Sequence, residues 1–172
     1  SMGSGDNSVG YSNVIDRTNN ASVGTATDFG DLTQARGQNA SVNNATTALA
    51  AAGIISANND QNTIDKVTIG TTGNATDFGD LSASKDGIKA TQSKTRAFTI
   101  GGSDGSNTSV IDMVTFATTG NATDVGDLDT VRNYGAACDN SIVGFYAGGG
   151  SPSVTNAITT FNQISMGGAT DF

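Results

Sequence analysis

The chain has no histidine, no tryptophan and no glutamate, and all 16 of its acidic residues are aspartate. It holds one cysteine and one proline in 172 residues. Each absence removes chemistry. Without imidazole there is no Ser-His-Asp triad, no Cys-His dyad and no His-ligated zinc or copper. Without glutamate there is no Glu general acid for glycoside hydrolysis. The lone Cys138 cannot form an internal disulfide, and no histidine exists to activate it, so its expected place is as a small apolar residue packed in a strand. Only eight residues are Lys or Arg, and they are scattered, so no window offers a basic patch for phosphates. The net charge of -8 serves solubility. No apolar run approaches the ~18 residues of a membrane span, and no signal peptide is legible at the N-terminus. With 35% hydrophobic residues and 23 Gly, the composition is nonetheless that of a globular chain.

What the chain does have is repetition. Ala26-Thr27-Asp28-Phe29-Gly30-Asp31-Leu32 returns from Ala75 to Leu81 and again, with Val125 for Phe, from Ala122 to Leu128. A shortened copy runs from Ala169 to Phe172, so the steps are 49, 47 and 47 residues. Three further landmarks keep the same beat. One is Ile15-Asp16, Ile64-Asp65 and Ile111-Asp112, followed by Ile158-Thr159. Another is a cation four residues after the Leu, at Arg36, Lys85 and Arg132. The third is an apolar segment ending in Gly101-Gly102 or Gly148-Gly149, whose first copy reads Ala52-Gly53.

A unit this long, rich in Thr, Val and Ile and punctuated by Gly, Asn, Asp and Ser, predicts four short strands. In the third unit these fall near Lys85–Lys94, Thr95–Gly102, Ser109–Ala117 and Thr119–Leu128. The Ala-rich stretch Asn44–Ile55 has helical composition, but its register with the two Gly-Gly segments assigns it to a strand. Repeated four-stranded units of this size predict an all-β protein of the β-propeller type, built from antiparallel blades. The approximate blades are 1–32 (a half), 33–81, 82–128 and 129–172, about three and a half per chain. Ile64, Phe98, Ile111, Phe116, Phe145, Ile158 and Phe161 are among the expected core residues.

Gly101-Gly102, Ile111-Asp112 and Arg132 resemble the kelch repeat, and the resemblance extends over nearly the whole chain. It departs at the fourth strand, where Phe29, Phe78 and Val125 stand near the place of the kelch tryptophan. The fuller wording Asn-Ala-Thr-Asp-Phe-Gly-Asp-Leu is similar to repeat proteins of marine bacteriophages. That likeness implies a virion or host-contact protein, and hence a virion or extracellular location.

Asp-Phe-Gly also occurs in protein kinases, but no Gly-rich loop, strand lysine or catalytic loop accompanies it here. Its expected role is a turn, with Asp accepting amide hydrogen bonds and Gly supplying a positive φ. The pairs Asp28/Asp31, Asp77/Asp80 and Asp124/Asp127 are the candidate metal ligands. Two carboxylates three residues apart are too few for calcium, so turn chemistry is expected, with an ion pair to the following cation. The expectation is therefore a protein without catalytic residues or cofactor, a structural or adhesive module. The alternative is a lectin-like carbohydrate binder with one site per blade. Half a ring of blades would expose faces and edges, so the expected partners are a second copy or the remainder of a longer array. Another virion protein or a surface glycan completes the expected partners, with no nucleic acid and no membrane among them.

Overall fold

The computed structural model describes residues 10–19, 21–150, 158–163 and 170–171. Ser1–Gly3, Ser151-Pro152, Ala157, Ala169 and Phe172, which the repeat reading also uses, lie outside the described residues. Every long element among the described residues is a β-strand, and no helix there is long and apolar enough to cross a membrane.

The strands form four antiparallel sheets in chain order. The first is a pair, β1 (Ser12–Arg17) and β2 (Thr27–Arg36). The second holds β3 (Ala40–Asn43), β4 (Thr47–Ala51), β5 (Thr63–Thr68) and β6 (Thr76–Asp80). The third holds β7 (Lys89–Gln92), β8 (Arg96–Ile100), β9 (Val110–Thr115) and β10 (Thr123–Asp127). The fourth holds β11 (Ala136–Asp139), β12 (Val143–Ala147), β13 (Ile158–Asn162) and β14 (Thr170–Asp171). Within each four-stranded sheet every strand pairs with the next, so all connections are hairpins. The first hairpin turn repeats its chemistry. Asn44 and Asn140 each accept two amide hydrogen bonds through Oδ1, and Ser93 does so through Oγ.

Consecutive sheets pack face to face. Ile15, Phe29 and Leu32 of the first meet Ala48, Ala50 and Val67 of the second. Leu49, Ile64 and Phe78 of the second meet Ala97, Val114 and Phe116 of the third. Phe98, Ile100 and Ile111 of the third meet Tyr146 and Phe161 of the fourth, with Phe98 and Phe161 edge to face at 5.5 Å. A middle sheet is thus covered on both sides, which is why β9 buries Ile111 toward one neighbour and Val114 toward the other. Each such large side chain contributes about 1.5–3 kcal/mol on burial. β4 shows the same logic at its limit, with all five residues buried. Ala is the best helix former, yet here its small volume lets two sheets close on a central strand. The first strands β3, β7 and β11 run beside one another.

Three expectations need correction, all on the far face of the fourth sheet. Cys138 lies in β11 as expected but is exposed. Ile158 is 43% exposed and Phe145 half-buried. Their equivalents in the third sheet are buried because the fourth sheet covers them, and no described residue does this for the fourth.

Candidate functional site

The periodic cations turn out to join the sheets. Arg36 extends from the end of β2 into the second sheet, where Nη2 donates to Asp65 Oδ2 at 2.9 Å and to the Ala50 carbonyl at 3.0 Å. Lys85, after β6, places Nζ 2.8 Å from Asp112 Oδ2 in β9, although the two groups are not aligned for a hydrogen bond. All four side chains are 0–1% exposed. Burial lowers the Arg36 pKa from its ordinary value, and the Asp65 charge opposes that shift. The third interface departs from the pattern. Thr159 stands in β13 where Asp65 and Asp112 stand in their strands, and Arg132 Nη2 reaches it at 3.2 Å. The carboxylate comes instead from Asp129, 2.6 Å from Arg132 Nη2, at the position held by Thr33 and Ser82 in earlier units. The acid has moved from the receiving sheet to the donating one, and the buried cation keeps a counter-charge.

The aspartate motif is a second joint. Asp28, Asp77 and Asp124 each accept the amide of the glycine two residues on at 3.0 Å, as the turn reading required. The segment is not a loop turn, however. It is a bulge inside the fourth strand, where the pairing register slips across Phe29, Phe78 and Val125. The bulge drives Phe29 and Phe78 into the inter-sheet cores. Its backbone is then clasped by the next unit. Gly73 and Ala75 amides donate to the Phe29 and Asp31 carbonyls at 2.9 and 2.7 Å, and the Asp31 amide donates to Asn74 Oδ1 at 3.1 Å. Gly120, Ala122 and Asn121 repeat these contacts on Phe78 and Asp80. A Cβ on Gly30 or Gly79 would come 2.4 Å from the Gly73 or Gly120 carbonyl oxygen, so only glycine fits.

The candidate metal ligands therefore separate by role. Asp28, Asp77 and Asp124 are occupied by bulge amides, and Asp127 accepts from Ser109 Oγ at 2.7 Å. Asp31 and Asp80 do not pair with Arg36 and Lys85, which corrects the expected ion pair; those cations bind aspartates of the following sheet. Among the described residues no cluster of three or more Asp or Cys side chains could hold a metal. The cross-sheet partners are not apparent in the sequence, because each cation and its aspartate belong to different repeat units. The shared beat of the cation and the Ile-Asp pair was the available signal.

One rim of the assembly carries an acidic cleft. Gln38, Gly87 and Tyr134, each two residues after a cation, all have left-handed backbone (φ 58°, 60° and 53°) and are linked in series by amide–carbonyl bonds of 3.2 and 2.9 Å. The half-exposed Tyr134 places its hydroxyl within hydrogen-bond reach of Gln38 Oε1 and of Asp86 Oδ2, the latter at 3.2 Å. Asp60, Asp86 and Asp104 line the cleft of about 300 Å³ beside it. Burial raises the Asp60 and Asp86 carboxyls, and Asp86 and Asp104 raise Asp60 further. Burial, then the neighbouring aspartates, push the Tyr134 phenol up to about 12. Of the two other tyrosines, Tyr146 is core, with its hydroxyl accepting the Gly135 amide at 3.0 Å, and Tyr11 is partly buried.

No family model and no curated protein matches the chain.

Proposed function

We propose that the chain is a kelch-like β-propeller segment acting as a non-enzymatic structural or adhesive module of a phage particle. The observation that carries this reading is the equivalence of the joints. The first two joints each combine a buried cation, a clasped bulge and an apolar face, the third keeps the buried Arg132 and the apolar face, and the first strands of the three four-stranded sheets run side by side. Such joints make a rigid array whose rims present repeated loops, which suits polyvalent contact. The outer faces favour association with a second copy. Val14 and Asp16 of β1 are exposed, whereas Asp65 and Asp112 at the same repeat position are buried against a cation. The far face of the fourth sheet leaves Ile158 exposed. Light scattering should give a mass of two chains or more, and a stable single chain would overturn association with a second copy. Antibodies to the chain should label intact particles of the phage that encodes it; labelling confined to the infected cell's interior would overturn the virion assignment.

The lectin reading with one site per sheet has less support. Tyr134 is the exposed rim aromatic, but its repeat equivalents are Gln38 and Gly87, which offer no ring for a sugar. A glycan array showing one bound sugar per sheet would reverse this preference.

A further inference from the structure

The repeat supplies an internal standard, and the first sheet falls short of it. Strands β1 and β2 hold the places of β5–β6 and β9–β10, with the same bulged register. Ile15 lies opposite Gly30 as Ile64 lies opposite Gly79 and Ile111 opposite Gly126. The other edges of β5 and β9 are taken by β4 and β8. Among the described residues no strand takes that edge of β1.

The edge offers a row of backbone groups and an apolar groove. The Ala52 amide donates to the Thr63 carbonyl and the Ile69 amide to the Thr46 carbonyl, so alternate residues from Thr63 onward turn their backbone toward β4. The Gly101 and Phe116 amides repeat this pattern between β8 and β9. The equivalents in β1 are Val14 and Asp16, both exposed. Beside them lies a groove of about 190 Å³, lined by Ile15, Arg17, Phe29, Ala48, Val67 and Ile69. In the next two sheets the second strand fills this space. Leu49 lies opposite Lys66 and Ala51 opposite Ile64, and both enter the core shared with the third sheet. Phe98 and Ile100 do the same one sheet on. The lack of such a strand leaves a mark: Phe116, in the same core as Leu49, is buried, whereas its equivalent Ile69 is only partly buried. Arg17 does not obstruct the place. It lies over the Phe29 ring at 6.0 Å, as Lys66 lies over Phe78 at 5.9 Å with Leu49 paired opposite it.

We infer that the open edge of β1 receives an added β-strand from a partner array of this same repeat, a second-strand segment that sets Leu opposite Arg17 and Ala opposite Ile15. Backbone pairing supplies the affinity, and the two side chains entering the groove fix the register. Ala48, Val67 and Ile69 face the groove as Ala97, Val114 and Phe116 face Leu49, so an aliphatic side chain fits and a charged one does not. A folded second copy is not the donor, because β4 and β8 are each paired on both sides within their own sheets. The donor is a unit whose first two strands lack a third and fourth of their own. The inference rests on the equivalence of the repeat units and names a partner for the structural reading; it requires neither the virion assignment nor contact through the outer sheet faces.

Amide NMR of the intact chain would be followed during titration with a synthetic hairpin peptide of residues 38–53. The peptide should shift Val14, Asp16, Val67 and Ile69 and slow hydrogen exchange at the Asp16 amide by about tenfold or more. The same peptide with Leu49→Asp should bind about tenfold more weakly or worse, since the groove has no partner for a carboxylate. Peptide N-methylated at Ala50, the residue that pairs with Asp65 in its own sheet, should not bind, because the donor facing Asp16 is gone. Three results would overturn the proposal: no shift at these amides, equal binding of either modified peptide, or an Asp16 amide already protected in the peptide-free protein with no peptide bound, which would put a second copy on the edge. The mass of the peptide-free chain decides only the association of outer faces, so the two readings fail separately.

Discussion

The Lys85–Asp112 pair sets a demanding test, because its two ends belong to different sheets and both are out of water. At 2.8 Å and an effective dielectric near 20, the gross attraction is about 6 kcal/mol, most of which is offset by the desolvation of two ions. Removing one partner is therefore far worse than removing both. Lys85→Met strands a carboxylate and Asp112→Val strands an ammonium, and each should cost about 3–5 kcal/mol. For a chain of this size that is a fall in melting temperature of about 6–20 °C. The double variant should recover most of the loss. Asp112 borders an apolar seam lined by Val42, Leu49 and Ile64, which receives a valine without leaving a polar group unpaired. Urea denaturation of all four proteins at pH 7 gives the coupling energy directly. If the single variants lose less than about 1 kcal/mol, or the double loses the sum of the two, the pair is not a dry joint between sheets and the reasoning fails.

Ala52 has φ 60° where the other units have Gly101 and Gly148, and its methyl is fully buried in the core; Ala52→Gly should change stability by less than about 1 kcal/mol in the same urea assay, the relief of left-handed strain being offset by the added chain entropy and the lost methyl. Gly79→Ala drives a Cβ to 2.4 Å from the Gly120 carbonyl oxygen and should cost about 2 kcal/mol or more, visible as faster hydrogen exchange at Gly120 and Ala122. Folding favours the neutral phenol of Tyr134, so its contribution to stability is intact below pH 10 and is lost as pH rises through about 12. The phenolate absorbance missing from Tyr134→Phe should belong to a transition near pH 12, and a missing transition near 10 would contradict the assignment.

The sequence alone carries the period, the strand content and the positions of the turns, because these depend on local chemistry. Thr, Val and Ile favour extended backbone, Asn44, Ser93 and Asn140 close hairpins through their own side chains, and the glycines of the Gly-Gly segments take positive φ. It also placed the Ala-rich stretch in a strand, by register against its neighbours and against its own helix propensity. Which faces are covered was not legible, since Ile158 and Cys138 carry the same local signals as buried residues and are exposed only because no described sheet packs over them. The partners of Arg36, Lys85 and Arg132 were decided by the tertiary structure for the same reason. A cation close in sequence to Asp31 or Asp80 is drawn instead to an aspartate about 30 residues on, where packing excludes water and makes a counter-charge obligatory. The exchange of Asp129 for an acid at position 159 shows the constraint acting at the joint and not within the repeat: the charge can come from either sheet, provided that it meets the buried cation between them.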